Sequence, residues 1–395
     1  TPAEIDAFLE DTSPRAYGDV VERLLTSPRF GERLAPLWCD AARYADTNGY
    51  HHDDFRTMWP WRDWVVQAFN DNLRYDKFTV WQLAGDLLPE ATHEQILATA
   101  FNRNHMINGE GGRIAEENRV EYVFDMTETM GTLWMGLTLN CCRCHDHKFD
   151  PLMQREYYQL TAFFNQTPVT GGGGDPHAKP ILRAGKVAQN KDLTRTQEEL
   201  NAVRREIEDR QKKQAEKTAL SELRKRLTTL DKKVKASQNS FPRVMVMGDM
   251  DKPRQTFMLD RGLYNKRGEE VTADVPDTLP SLPKTERPNR LTLARWLVDR
   301  NHPLTSRVTV NRYWQMLFGA GLVKTAENFG AQAEYPDHPE LLDWLAATFI
   351  DSGWNVKSLI RTIVTSETYQ RSSVITSPAA YEHDPDNRFL GRGSR

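Results

Sequence analysis

Residues 141–145 read Cys-Cys-Arg-Cys-His, and inside them lies Cys141-x-x-Cys144-His145. Two thiols about one helical turn apart can reach two vinyl groups on one porphyrin edge, and the adjacent imidazole can bind the iron. The spacing points to haem c attached covalently at Cys141 and Cys144, with His145 as the proximal iron ligand. The chain has four cysteines in 395 residues, and three of them stand here. Cysteines used only as small apolar filler would be scattered. Two other readings of the same residues stay open. One is a non-haem zinc or copper site built from Cys141, Cys142, Cys144, His145 and His147; the other is inert packing.

The residues around the pentad extend the candidate site. Asp146, His147 and Lys148 follow directly. His147 would need a sharp turn to reach the iron held by His145, so it reads as a pocket group. A further iron ligand must come from elsewhere: His105, Met130, Met135, Met153, His51 or His52. His105 is preferred, because the glycines of the following loop let backbone approach a flat cofactor, whereas a methionine on a helix is more often core filler. Glu116 and Glu117 suit the first turn of a helix, where the dipole favours them. Glu110 and Arg113 have no such role and join Asp146, His147 and Lys148 as candidate catalytic residues. The loop Asp46–Asp54 has oxygen spacing that could hold calcium, but it lacks the glycine and terminal glutamate of a helix–loop–helix site. Cys39 reads as a buried thiol on an apolar helix. No serine-hydrolase elbow, phosphate loop, dinucleotide fingerprint or zinc-protease helix is present.

Composition sets outer limits. A hydrophobic fraction of 39%, with ten tryptophans, supplies packed cores and argues against global disorder. The net charge of −3 carries no polyanion-binding pattern, so nucleic acid is not an expected partner. No apolar run is long enough to span a membrane. Thr1 opens directly into a helical pattern without initiator methionine or signal peptide, which reads as a piece of a longer protein and leaves the compartment open.

The elements that must position these residues are mostly helical. Helical patterns cover about Pro28 to Asp46, Trp61 to Asn70, Phe78 to Leu88 and Glu94 to Asn104. A long one from about Glu116 to Leu139, with Val120, Val123, Phe124, Thr127, Met130, Leu133, Trp134 and Leu137 in a 3.6-residue rhythm, delivers the chain to the pentad. Gly171–Gly174 reads as a flexible link or tight loop. In the charged stretch after 190, Leu193, Leu200, Val203 and Ile207 fit one heptad register, and Leu220, Leu223, Leu227, Leu230 and Val234 another. The broken phase favours two helices folded back near Gln211–Lys217. Val244–Met247 and Gln255–Leu259 read as short strands, and helices resume over Leu291–Arg300, Ser306–Phe318, Pro339–Ser352 and Lys357–Thr365. His338 reads as a structural element at the start of one of them. The expected fold is mainly α: a helical region 1–170 carrying the cysteine motif, a charged antiparallel hairpin 186–238, a small β-rich insert 239–285 and a C-terminal helical region 286–395, read as truncated.

The stretch Gly136–Pro151, together with Ala42-Arg43-Tyr44-Ala45-Asp46 and Gln82–Pro89, resembles the planctomycete cytochrome-c-associated family. The strings Val310–Gln315 and His338–Leu345 look like its partner domain. The pair is catalogued as domains of unknown function fifteen-forty-nine and fifteen-fifty-three. The resemblance implies an exported, periplasmic or secreted protein, often with a cytochrome c domain upstream as redox partner, and supports haem at Cys141, Cys144 and His145. Cys142 departs from the small or polar residue expected there, which leaves room for a thiolate or non-haem metal role. The resemblance supplies no reaction. A haem oxidoreductase or electron carrier acting on an extracellular substrate, a saccharide for example, is the leading expectation. Non-haem metal chemistry, and an adaptor docking through the hairpin, are its rivals.

Overall fold

A computed structural model describes residues 1–172, 178–212, 217–375 and 377–393. The chain opens with α1 (Pro2–Glu10), α2 (Ala16–Thr26), α3 (Arg29–Ala41), α4 (Trp59–Asn70), α5 (Tyr75–Ala84), α6 (His93–Ala98), α7 (Ala115–Met130) and α8 (Gln154–Phe164). β1 (Ile181–Arg183) leads into α9 (Val187–Lys212) and α10 (Lys217–Ser240), then β2 (Arg243–Met245), β3 (Thr256–Leu259) and β4 (Arg267–Val271). The chain closes with α11 (Arg290–Leu297), α12 (Thr305–Phe318), α13 (Pro339–Asp351), α14 (Val356–Val364) and α15 (Pro378–His383). The fold is mainly α, with two small two-stranded antiparallel sheets. Among the described residues, no helix is long and apolar enough to cross a membrane.

Aromatic rings join α3 and α4 to α5, to the turn at Phe101 and to the segment just after α7. Trp38 lies against Tyr75, Phe78, Phe101 and Trp134, with ring centroids 5.1–6.3 Å apart. A buried indole N–H is stabilised by an acceptor. Trp38 finds Gln82 Oε1 at 2.8 Å and Trp134 finds Thr79 Oγ1 at 2.9 Å. One buried apolar cluster runs from Val21 through these rings to Ile363, so the N- and C-terminal helical regions share a core. A buried ion triad reinforces that seam: Arg290 pairs with Asp86 at 2.6 Å and with Asp249 at 2.9 Å.

The charged segment folds as expected into two antiparallel helices. Leu200, Val203, Ile207 and Leu230 are buried between them, with Leu220, Leu223 and Leu227 packed alongside. Residues 213–216, where the reversal was expected, lie outside the described residues, as do Gly173 and Gly174 of the glycine run. Gly171 is described: its φ is +61°, and a Cβ there would overlap the Ala115 carbonyl and the Arg119 backbone at the start of α7. Both expected strands form, but each pairs with a strand that the sequence pattern did not announce. β2 pairs with β1 at the base of the hairpin, and β3 pairs with β4.

The long helix that delivers the pentad ends earlier than its rhythm suggests. Regular α geometry stops at Met130, a π turn follows over Gly131–Met135, and Gly136 takes a left-handed conformation with φ +61°. Gly131 has no room for a side chain, because a Cβ would meet Leu139. The wide turn keeps Leu133, Trp134 and Met135 buried while redirecting the backbone toward the cysteines.

Candidate functional site

The pentad begins inside a tight 3₁₀ turn, Leu139–Arg143, which Cys144 closes through its N–H to Cys141 carbonyl hydrogen bond of 3.3 Å, with His145 just beyond. This turn sorts the three cysteines. Cys141 and Cys144 are exposed with free thiols, whereas Cys142 is buried. The Cys142 thiol donates to the Leu152 carbonyl at 3.7 Å, and burial pushes it up to about 12. Cys142 is thus a buried thiol anchoring the turn, which answers the room left for a thiolate role there.

His145 is exposed, and its Nδ1 faces the Asp146 carbonyl at 2.6 Å. A carbonyl can only accept, so Nδ1 carries a proton, and in the neutral ring the lone pair is on Nε2, directed away from that bond. His147 is held in the opposite sense. Its Nδ1 accepts the Asp150 N–H at 2.8 Å, which places its proton on Nε2. The Asp150 carboxylate 3.4 Å away is therefore a neighbour of a neutral ring and not its ion-pair partner. Asp146 Oδ1 accepts the first N–H of α8 from Gln154 at 2.8 Å, and Lys148 is exposed with its Nζ 5.0 Å from the Phe149 ring centroid.

Arg143, inside the pentad, has a part that the residue pattern did not reveal. Its guanidinium forks onto Glu128, with Nη2 2.9 Å from Oε2, and reaches Glu121 at 2.9 Å through Nη1. It also lies 4.8 Å from the Phe124 ring centroid. Tyr157 donates to Glu128 at 2.9 Å, and the Arg143 carbonyl accepts from Tyr158 at 2.9 Å. The pentad is therefore clamped to α7 and α8 through its middle residue. The signal in the sequence was the spacing of Glu121, Asp125 and Glu128, which puts three carboxylates on one helical face. Asp125 pairs with Arg43 at 2.6 Å, and burial raises its carboxyl above the ordinary value. The turn Asp260–Gly262 between β3 and β4 walls the other side: a Cβ at Gly262 would stand 3.6 Å from Cys144 Sγ.

The remaining candidates separate. Glu110 Oε1 accepts the His51 N–H at 3.2 Å, and Arg113 donates to the Glu110 carbonyl at 2.8 Å, so these three share one pair of loops. Tyr50 links that pair electrostatically to the α7 stripe: burial, then the carboxylates of Glu121, Asp125 and Glu110, raise its phenol. His105 is placed differently from the expectation. It is enclosed, stacked on Tyr122 with ring centroids 4.4 Å apart, and its Nδ1 bonds the Met106 carbonyl at 2.9 Å. None of these partners belongs to the pentad. Burial and the nearby Arg103 hold its imidazole well below the usual value. Met130 and Met135 are core residues, while Met153, His51 and His52 are exposed. Asp46 and Asp53, expected among calcium ligands, accept hydrogen bonds within their own loop region: Asp46 from the N–H groups of Met58 and Trp59, Asp53 from that of Gly49. Among the described residues, no group of three or more His, Cys, Asp or Glu side chains converges as a metal-ligand set. Cys39 is buried on α3, and His338 stands at the start of α13 with Nε2 2.9 Å from the Arg388 carbonyl, both as expected.

Residues 1–169 match the family model PSCyt2, a protein of unknown function (DUF1549). Residues 289–395 match PSD1, a protein of unknown function (DUF1553). No curated protein and no solved structure matches the chain. The pentad, its α7 clamp and the 3₁₀ turn all fall in the first matched region, and the helices that share its core fall in the second. Residues 1–169 and 289–395 thus match PSCyt2 and PSD1, the planctomycete cytochrome-c-associated domains, in that order along the chain.

Proposed function

We propose that this chain is an extracytoplasmic c-type haem protein that exchanges electrons with a cytochrome c partner or domain. The observation that carries this reading is how the turn presents its donors. Cys141 and Cys144 expose their thiols at either end of one turn, Cys142 between them points into the core, and His145 keeps Nε2 free. Donor set and tautomer both fit covalent haem with a proximal imidazole, whose Nδ1–H bond to a carbonyl fixes the ring and raises ligand basicity. Haem bound there would supply one-electron chemistry. The protein's own contributions are separate. Arg143, locked to Glu128, holds the turn's geometry, and Asp146 fixes the start of α8. Phe149 and Met153, both about half exposed, offer apolar surface beside the donors.

A substrate would approach along the polar face that runs from the pentad past Glu121 and Asp125 to Tyr50, Glu110 and Arg113. Carboxylates and a phenol on that face suit a hydroxyl-rich substrate such as a saccharide, which they would orient by hydrogen bonds. Lys148 is exposed at its near end, whereas the His147 side chain is buried, 5% exposed, against Asp150 and takes no part in that face.

The test is expression behind an export signal in a host with cytochrome c maturation machinery. A Soret band and a pyridine haemochrome spectrum that survive denaturation are expected for the parent chain. The double variant Cys141→Ala/Cys144→Ala should lose covalent haem while keeping its helical circular dichroism, and His145→Ala should change the spectrum. Purified, matured protein without porphyrin overturns the reading. One equivalent of zinc or copper in its place would move the assignment to a non-haem site.

A further inference from the structure

The most informative feature outside the pentad lies in the seam between the two matched regions. A cavity of about 400 Å³ opens there between α3, α4, α5 and α12. Leu34, Leu37, Trp38, Phe69, Tyr313 and Met316 give it apolar walls. Arg312 is the one charged side chain among the described residues lining it. Its Nη2 donates to the Thr132 carbonyl at 3.1 Å, and its Nε is buried with no acceptor. No carboxylate forms an ion pair with it among the described residues; burial acts on it most, and Tyr75 and then Glu327 act on it only electrostatically.

This combination is unusual on physical grounds. A guanidinium keeps its proton, so a largely buried and unpaired one stays charged at a cost. The space opens to solvent where Leu37 is half exposed, so it is a pocket that a ligand can enter. Mostly apolar walls of this volume, with Arg312 as the charged group and Tyr75, Thr309 and Gln315 as neutral polar ones, describe a small-molecule site. The missing partner for Arg312 is an anion, and the walls specify what it must carry.

We propose that this cavity binds a small amphipathic monoanion, an aromatic or medium-chain aliphatic carboxylate, with its carboxylate on Arg312 and its hydrocarbon body against Trp38, Phe69 and Met316. The assignment does not depend on haem. It does place a ligand beside the route to the pentad, because Thr132 belongs to the π turn that precedes Gly136.

The experiment is isothermal titration of the whole chain with octanoate and phenylacetate, against octanol and octylamine. The acids should bind at one equivalent, about tenfold or more tighter than octanol, since a charge-assisted bond replaces an unmet one; octylamine should not bind. Arg312→Gln should reduce octanoate to the affinity of octanol while leaving octanol binding intact, which also reports that the cavity has folded. Leu37→Trp, at the half-exposed mouth, should weaken acids and alcohol together, and it keeps the question answerable if the Arg312 variant does not fold. Equal binding of acid and alcohol, acid binding unaffected by Arg312→Gln, or no acid binding at millimolar concentration overturns the proposal.

Discussion

Asp150, at the end of the pentad's loop, packs directly against Gly330 from the C-terminal region. A Cβ at position 330 would stand 2.7 Å from the Asp150 Cγ, and Asp150 Oδ1 accepts the Ala331 N–H at 2.5 Å. Phe329 N–H bonds the Gly136 carbonyl at 2.7 Å, so a second strut joins the same two segments just before the pentad. The turn bearing the cysteines is therefore held at both ends by residues 329–331.

Gly330→Ala tests that relationship. The added methyl must displace a buried carboxylate that is already hydrogen-bonded, and overpacking of this kind costs about 1–3 kcal/mol. Urea denaturation should show the loss in the midpoint, with an unchanged slope. Full stability in the variant would mean that the 329–331 segment yields freely and does not brace the turn.

Arg143 should be coupled to Glu128 well beyond a surface pair. Both side chains are about one-fifth exposed, and Tyr157 and Asn140 also bond the carboxylate. Arg143→Ala leaves a mostly buried carboxylate without its cation, for which about 2–4 kcal/mol is expected. Arg143→Lys should recover only part, because a point charge cannot reproduce the fork. The double variant with Glu128→Ala should cost less than the sum of the singles. Strict additivity in that cycle would show that the two groups do not act together.

Thiol chemistry should divide the cysteines two and two. Burial pushes Cys39 and Cys142 up to about 12, so at pH 8 only about one in ten thousand of either is thiolate. Cys141 and Cys144 are exposed. Native apo protein treated with iodoacetamide at pH 8 should gain two adducts, mapped by mass spectrometry to Cys141 and Cys144, and four only after unfolding. A native adduct on Cys142 would contradict its buried placement.

What the sequence made legible follows from which physical signals are local. The pentad and the 3.6-residue rhythm of α7 are local, as are the heptads; Leu200, Val203 and Ile207 are buried as the heptads suggest, and α7 forms as its rhythm suggests as far as Met130. The π turn was hidden because Leu133, Trp134 and Leu137 continue an apolar rhythm while the backbone changes underneath them. β4 was hidden because Arg267, Gly268, Glu269 and Glu270 are exposed, which removes the alternation that marks a half-buried strand. His105 misled because a glycine-rich loop says that backbone can approach something, not which way a ring turns. The struts Asp150–Ala331 and Gly136–Phe329 join segments far apart in the chain, and no local pattern encodes such pairings.

Acid sensitivity should trace in part to His302, which is 3% exposed. Its Nδ1 accepts the Thr305 N–H at 3.2 Å, so the proton sits on Nε2, which is buried without a partner. The ring lies edge-on to Trp296 at 4.4 Å. Burial lowers this imidazole to about 4, with Asp299 offsetting only part of the effect. The unfolded chain takes up a proton near pH 6.5, whereas the native state stays neutral until about pH 4. Stability is thus fully present above pH 6.5 and is lost as pH falls toward 4, by about 3 kcal/mol from this residue. His105, also held neutral by burial, adds loss in the same direction. His302→Asn keeps an acceptor for the Thr305 N–H but cannot titrate. It should be less stable at pH 7, where the Trp296 contact is weakened, and its urea midpoint should fall less steeply between pH 6.5 and 4. A slope equal to the parent's over that interval would show that His302 protonates in the native state near its ordinary value, which its enclosure between Trp296 and the start of α12 does not allow.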